Sequence, residues 1–252
     1  MGVDLNVVFA ATVTAEEAFA LPARLNRAPA VVAACRAYYE AMKPIMRGLE
    51  LKQWTWFEPG PAITAPSAIV ESWASRYEGD VSLSGTPGLL NLSPNRISMG
   101  AVSRQSGFAA DDEGRQGPTR RVCRALAHEF GTDRVLYLPD SGDWPSEVGD
   151  LYDTRFDEAL ARLAAWGPPV SEIGALGYGG AVRNGYHYAD GALRRPDGTP
   201  LTENEIYSGG NRIHAGGDVR YFDGTLVPPE ELARPDLRGG FAYYIDDFRD
   251  LA

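Results

Sequence analysis

The chain has 252 residues, of which 44% are hydrophobic, so it is long enough to bury a full core and is not expected to be disordered. Its formal net charge of -10 and its pI near 4.8 argue against nucleic acid or an anionic membrane as the main partner, because both require a cationic surface. A basic protein partner is compatible with this charge.

Location is indicated by the cysteines and by the apolar segments. Cys35 and Cys123 lie on separate predicted helices, and so sparse a pair does not form a disulfide framework, which predicts two buried thiols. No basic region precedes an apolar core near the N-terminus, and no apolar run is long enough to span a bilayer. We therefore expect a cytoplasmic protein.

The first elements are marked by apolar spacing and by helix-starting residues. Residues 5–10 read as a buried strand, and Thr14 with Glu17 three positions later forms a capping box that starts a short helix before Pro22. A second helix is predicted from residue 29 to the residue before Pro44, because its apolar side chains recur at helical spacing.

The middle of the chain alternates between predicted helices and strands. We predict a strand over 49–57, a helix from 67 to 79, a hairpin formed by 89–92 and 97–102, a mobile loop over 107–117, a helix over 119–130, a strand over 134–138 and a helix over 154–166. The two later helices should bury the rows Val122, Leu126, Phe130 and Phe156, Leu160, Leu163.

The C-terminal part, residues 174–252, is rich in glycine, tyrosine and Asp-Gly pairs, which are typical of tight hairpin turns. Two-residue turns are predicted at Asp190-Gly191 and at Asp223-Gly224. The segments that begin at Asp197 and at Asp223 also align with each other without gaps, which predicts a repeated hairpin followed by one helical turn.

These elements predict an α+β fold in one large domain spanning residues 1–252. Its sheet should be mixed and mainly antiparallel, with helices in the first two thirds of the chain and β-hairpins in the C-terminal third.

Most sequence motifs of enzymes and cofactor-binding proteins are not found. There is no phosphate-binding loop, nucleophile elbow or paired Cys-x-x-Cys. His128-Glu129 resembles the start of a zinc-protease helix, but Thr132 stands where the second histidine would be. The glycine-rich residues 174–180 lack dinucleotide spacing, so no cofactor and no metal site is predicted from a motif.

An acidic segment follows the predicted strand over 134–138. Asp140 and Asp143 lie just beyond the carboxyl end of that strand, where ligand sites gather in open α/β sheets. The segment continues with acidic residues and two interleaved aromatic residues: Trp144, Glu147, Asp150, Tyr152, Asp153, Asp157 and Glu158.

Three interpretations of this segment remain open. A basic partner could bind the surface formed by Asp143, Trp144, Glu147, Asp150, Tyr152 and Asp153. Asp140 and Asp143 could instead form an acid/base pair or bind a divalent cation. Finally, the acids could belong to a solvated loop and a helix start, where the helix dipole favours them.

Two further polar features, His214 and the pair Asp246-Asp247, lie in the C-terminal part. His214 lies between glycine pairs, on a predicted exposed loop, and is the histidine expected to act as general base if the protein is an enzyme. Asp246-Asp247 closes the chain after an apolar run and is expected to be the charged tip of a final edge strand.

The acidity and the acidic, aromatic segment lead to one functional hypothesis. We expect a soluble acidic binding protein that neutralises a basic protein partner, like the immunity protein of a toxin pair. The alternative is a hydrolase or transferase that uses Asp140 and Asp143 with His214, with or without a divalent metal. The sequence favours binding over catalysis and leaves the oligomeric state open.

Overall fold

A seven-stranded sheet lies at the centre of the computed structural model, with helices on both of its faces. The structure describes residues 5–42, 57–59, 63–75, 81–85, 88–100, 117–139, 154–178, 181, 184–190, 192–209, 212–232 and 242–251.

The strands of the large sheet are β1 (Leu5–Phe9), β2 (Phe57–Pro59), β3 (Val81–Gly85), β4 (Leu89–Leu92), β5 (Ile97–Gly100), β6 (Arg134–Pro139) and β12 (Tyr244–Asp247). Their order in the sheet is β12-β6-β1-β5-β4-β3-β2, and every described strand pair is antiparallel. The predicted α+β fold with a mainly antiparallel sheet is confirmed.

Strand β1 sets the register of the sheet. Val7 lies opposite Met99 of β5 on one side and opposite Tyr137 of β6 on the other, and all three side chains are fully buried. The predicted hairpin between β4 and β5 is also confirmed, since Leu92 pairs with Ile97 around the expected turn.

The helices are α1 (Ala15–Leu25), α2 (Pro29–Met42), α3 (Pro66–Ala74), α4 (Pro118–Glu129), α5 (Phe156–Trp166) and the single turn α6 (Pro229–Leu232). Two 3₁₀ turns, Ile173–Tyr178 and Phe248–Leu251, complete the described helical structure. No helix among the described residues is long and apolar enough to cross a membrane.

The start of α1 is as predicted, but its end is not. The capping box forms, because the Glu17 N–H donates to Thr14 Oγ1 at 3.2 Å and the Thr14 N–H donates to Glu17 Oε2 at 2.8 Å. The helix was expected to stop before Pro22, and this is wrong, since it continues to Leu25. Leu21 and Leu25 are fully buried on either side of the proline, so packing outweighs the one helical hydrogen bond that proline removes.

The two faces of the sheet cover separate cores. Val7 and Phe9 of β1 pack into the larger cluster with α1 to α4, whereas Val8 packs with α5 in the smaller one. This division follows from the period of two along a strand.

Most side chains of the predicted inner rows of α4 and α5 are buried in these cores. Val122 and Leu126 of α4, like Phe156 and Leu163 of α5, are buried as expected. Phe130 and Leu160 are only partly buried at the margins of the clusters. Both cysteines are buried free thiols, as predicted.

The C-terminal region forms two small antiparallel sheets with their own cluster of buried side chains. One is the hairpin of β7 (His187–Ala189) and β8 (Ala192–Arg194); the other contains β9 (Glu205–Gly209), β10 (Arg212–Ala215) and β11 (Asp218–Tyr221). The shared cluster consists of Ala181, Tyr186, Leu193 and Ile213. The predicted β-hairpins of the C-terminal third are thus present, although the chain finally returns to the large sheet as β12.

Some predicted features lie outside the described residues. Of the expected strand over 49–57 only Phe57 is described, and of the expected loop over 107–117 only Gly117 is described. The extent of the predicted single domain stays a prediction.

Candidate functional site

The acidic segment proposed from the sequence falls mainly outside the described part of the chain. This applies to Asp140, Asp143, Trp144, Glu147, Asp150, Tyr152 and Asp153. Strand β6, which precedes Asp140 and Asp143, is antiparallel to both of its neighbours, β1 and β12. The rule that ligand sites gather at the carboxyl ends of parallel strands therefore does not apply to it.

The described end of this segment lines a cleft of about 520 Å³ at the start of α5. The cleft is lined by Ala10, Ala11, Thr12, Asn95, Thr132, Arg134, Arg155, Phe156, Asp157 and Glu158. Arg134 Nη1 lies 3.2 Å from Asp157 Oδ1, and its guanidinium carbon lies 5.0 Å from the centre of the Phe156 ring. Two arginines and two acidic residues therefore line the cleft together.

His214 lies on strand β10, and its side chain is exposed. Ile206 is its cross-strand neighbour on one side and Val219 on the other, so the imidazole shares a sheet face with two apolar side chains. It forms no hydrogen bond or ion pair with any described residue. Its predicted role as a general base beside Asp140 and Asp143 stays a prediction.

The two Asp-Gly-Thr segments form the same local structure. Asp197 Oδ1 accepts a hydrogen bond from the Thr199 N–H at 2.9 Å, and Asp223 Oδ1 accepts one from the Thr225 N–H at 2.8 Å. Gly198 and Gly224 both have a φ of +87°. The repeat seen in the sequence is therefore a structural repeat, with equivalent positions 26 residues apart.

An arginine closes each of these turns in the same way. Arg194 Nη1 donates to the Gly198 carbonyl oxygen at 3.2 Å, and Arg220 Nη1 donates to the Gly224 carbonyl oxygen at 3.0 Å. Each guanidinium therefore donates to a carbonyl oxygen of its own hairpin. We call residues 187–232 the hairpin module.

The predicted turn lengths are correct at one site and wrong at the other. Ala189 pairs with Ala192, so Asp190-Gly191 is the expected two-residue turn, with Asp190 at a φ of 52°. At the second site the Tyr221 N–H donates to Thr225 O, which leaves three residues, 222–224, in the turn. The extra residue, Phe222, is held by its contact with Tyr186, with ring centres 4.4 Å apart.

The expected helical turn follows only the hairpin at Asp223-Gly224, where it is α6. After the hairpin at Asp197-Gly198 the chain makes a turn, in which the Glu205 N–H donates to Thr202 O, and enters β9 directly. Arg195 binds the Glu205 carboxylate at 2.6 and 2.7 Å, which fixes Glu205 at the start of that strand.

The hairpin module exposes negative charge at its turns. It contains eight acidic residues and four arginines. Asp190, Asp197 and Asp223 are exposed at turns, while Arg194, Arg195 and Arg220 are bound within the module. Hydrogen bonds from Thr199 and Thr225 lower the pKa of Asp197 and of Asp223, so both carboxylates are ionised at neutral pH.

Large apolar side chains are exposed on the same module. Ile206 is 65% exposed, Leu226 is 51% exposed and Leu232 is 48% exposed. Ile206 and Leu232 occupy equivalent positions of the repeat. Exposed apolar groups next to charged ones are a common composition for a protein-binding surface.

Arg120 and Asp246 form a buried ion pair that the sequence analysis does not predict. Asp246 is on an edge strand as predicted, but its side chain is buried rather than at a charged tip. Arg120 donates to it from both Nε and Nη2, and Nη2 also donates to the Tyr244 hydroxyl at 2.9 Å. Arg120 shares one side of α4 with the buried Cys123 and Ala127, three and seven positions further on, and an arginine in such a position signals a buried acidic partner.

This pair has a structural role. Burial disfavours the Arg120 charge, but the hydrogen bonds and the charge of Asp246 outweigh it and raise the arginine pKa above its ordinary value. Arg120 and Asp246 are 3% and 2% exposed, so no solute reaches them. They join helix α4 to strand β12.

No protein-family model matches the chain, and neither the curated proteins nor the solved structures contain a match. Within the part of the chain that the structure describes, no group of three or more histidine, cysteine or acidic side chains is arranged to hold a metal ion.

Proposed function

We propose that this protein binds a basic protein partner and neutralises it, in the manner of an immunity protein. The observation that carries the proposal is the charge arrangement of the hairpin module. Its turn carboxylates face outward while three of its four arginines are bound internally. A partner that approaches the module therefore meets an anionic surface.

Electrostatic complementarity favours a partner rich in arginine or lysine. Unlike charges across an interface steer the encounter and fix its register, and a net charge of -10 strengthens this steering at low salt. The exposed side chains of Ile206 and Leu226 supply apolar area for the same contact. The acidic segment around residues 143–153 is proposed as a further part of this surface.

The proposal is tested with a triple variant of the hairpin module: Asp190→Asn, Asp197→Asn and Asp223→Asn. Asparagine keeps the side-chain oxygen that caps the turns at Asp197 and Asp223, so the fold is retained while the charge is removed. The partner is captured from the native host, purified and titrated calorimetrically against both proteins. We expect the triple variant to bind at least about tenfold more weakly, with a shallower dependence on salt.

A matched control removes the same charge elsewhere. Glu16→Gln, Glu40→Gln and Glu71→Gln lie on the exposed sides of α1, α2 and α3. If both triple variants lose affinity equally, net charge alone explains binding and the hairpin module is not the surface. A captured partner with an acidic surface would contradict the proposal altogether.

One observation favours the alternative of an enzyme. The cleft of about 520 Å³ at the start of α5 is concave, the shape that a small-molecule site requires. A divalent metal site at Asp140 and Asp143 would raise the melting temperature of the wild-type protein in magnesium, calcium or manganese, by mass action. The Asp140→Asn/Asp143→Asn variant should lose that increase, and no increase in the wild type would contradict a metal-dependent site.

A further inference from the structure

Helix α4 has an unusual exposed side for a protein of such acidity. Arg121, Arg124 and His128 are its exposed residues, and the rest of the helix is buried or half-buried. These positions are separated by three and four residues, so they lie along one side of the helix over about 10 Å. Every exposed residue of α4 is thus basic.

The neighbouring helix carries one further exposed arginine. Helix α2 packs against α4 and carries Arg36 on its exposed side. We call Arg36, Arg121, Arg124 and His128 the basic stripe. Arg36 and Arg121 form no ion pair with any described residue, so both guanidinium groups are available to a ligand.

The acidic side chains that the structure describes on α2 and α4 form no ion pair with Arg36 or Arg121. Glu129 at the end of α4 is only 23% exposed and lies 4.0 Å from Arg24 Nε, and Arg24 Nη2 also donates to the Glu129 carbonyl oxygen at 3.0 Å. Glu40 is exposed one turn after Arg36 on α2, but it forms no ion pair with Arg36. A carboxylate from outside the chain would complement these cations.

We infer that the basic stripe binds an acidic polypeptide segment, whose carboxylates pair with the guanidinium groups of Arg36 and Arg121. Arginine presents a planar fork of donors that matches a carboxylate, which favours paired hydrogen bonds over diffuse attraction. This surface and its ligand are separate from the acidic hairpin module and from its proposed basic partner.

A polypeptide fits the stripe better than a nucleic acid does. Duplex DNA carries one negative charge per about 1.7 Å and is held through many phosphate contacts, whereas α4 exposes three basic residues over about 10 Å and α2 adds only Arg36. The net charge of -10 also repels a long polyanion more strongly than it repels a short acidic segment.

The test uses a fluorescently labelled oligoglutamate peptide and measures its binding by anisotropy. An ionic strength of about 0.1 M gives a Debye length of about 10 Å, which screens the distant acids but not a direct contact. The variant is Arg36→Gln/Arg121→Gln. The control is Arg155→Gln/Arg162→Gln on and next to α5, which changes the net charge equally and, apart from the exposed pair of Arg162 with Glu158, removes no ion pair between described residues.

We expect wild type and control to bind the peptide similarly and the stripe variant to bind about five- to tenfold more weakly. The melting temperatures of both variants should match that of the wild type, because the changed side chains are at the surface. The inference is overturned if the wild type does not bind the peptide, or if the control loses as much affinity as the stripe variant. Tighter binding to a single-stranded DNA of equal length would overturn it in favour of a nucleic-acid surface.

Discussion

Arg120 on helix α4 and Asp246 on strand β12 form a buried ion pair, in which Nε donates to Oδ2 at 2.8 Å. The two residues are 126 positions apart in the sequence, so the pair ties the end of the chain to the helix that covers the large sheet. Since a buried charge without its partner is costly, the pair makes the docking of β12 depend on both residues.

Asp246→Ala should destabilise the protein by about 3 to 5 kcal/mol, because Arg120 would keep its charge in a buried position with no counterion. Urea denaturation followed by circular dichroism measures this loss. The control is Asp247→Ala, whose side chain is partly exposed and pairs with the exposed Arg249. That change should cost about 1 kcal/mol or less. Equal effects of the two substitutions would contradict a special role for the buried pair.

The hairpin module should lose stability in acid through Glu205. Hydrogen bonds from Arg195 and Thr202 lower the pKa of Glu205 from 4.5 to about 2. Because the folded pKa is depressed, the stabilisation is fully present above pH 4.5 and is lost as the pH falls towards 2. The melting temperature of Glu205→Gln should therefore lie below that of the wild type at neutral pH, and the difference should disappear near pH 2.

The control for this pH series is Glu203→Gln, because Glu203 is exposed and forms no hydrogen bond with any described residue. Its melting temperature should follow that of the wild type at every pH. A constant difference between wild type and Glu205→Gln across the series would mean that the ionised carboxylate contributes nothing.

Gly198→Ala and Gly224→Ala should destabilise the protein equally, by about 1 to 2 kcal/mol each, because both glycines adopt the left-handed φ of +87°. A Cβ at either position would meet no atom within 4 Å, so the cost is conformational and not steric. Thermal or urea unfolding of the two single variants measures it. A clear difference between them would show that the two hairpins are not equivalent.

Leu163→Ala should cost about 2 to 5 kcal/mol, since the side chain is fully buried between α5 and the sheet. Leu160→Ala should cost less, because Leu160 is only partly buried at the margin of the same cluster. The midpoints of urea denaturation give both values. If the two substitutions had the same effect, the orientation of α5 would differ from the one described.

Much of the architecture could be predicted from local patterns. The capping box of Thr14 and Glu17 and the turn at Asp190-Gly191 depend on residues within a few positions of one another. The continuation of α1 through Pro22 could not be predicted locally, because it depends on the burial of Leu21 and Leu25 in a core built from distant strands.

The candidate site was predicted less well. A ligand site at Asp140 and Asp143 is expected where β6 has parallel neighbours, and strand direction is a property of pairing that local composition does not contain. The glycines that flank His214 predict an exposed loop, whereas His214 lies on a strand that turns at Gly216-Gly217. Its exposure was as expected.

Sequence alone determined the acidity of the protein, the periodic elements and the repeated Asp-Gly-Thr hairpins, because these depend on composition and on contacts between near neighbours. Only the tertiary structure decided which charges are available to a partner. Arg120 is adjacent in the sequence to the exposed Arg121, and Asp246 to the partly exposed Asp247, yet Arg120 and Asp246 neutralise each other in the interior. Arg121, one residue further along α4, faces solvent, because the turn of the helix and the packing of α4 on the sheet place successive side chains in opposite environments.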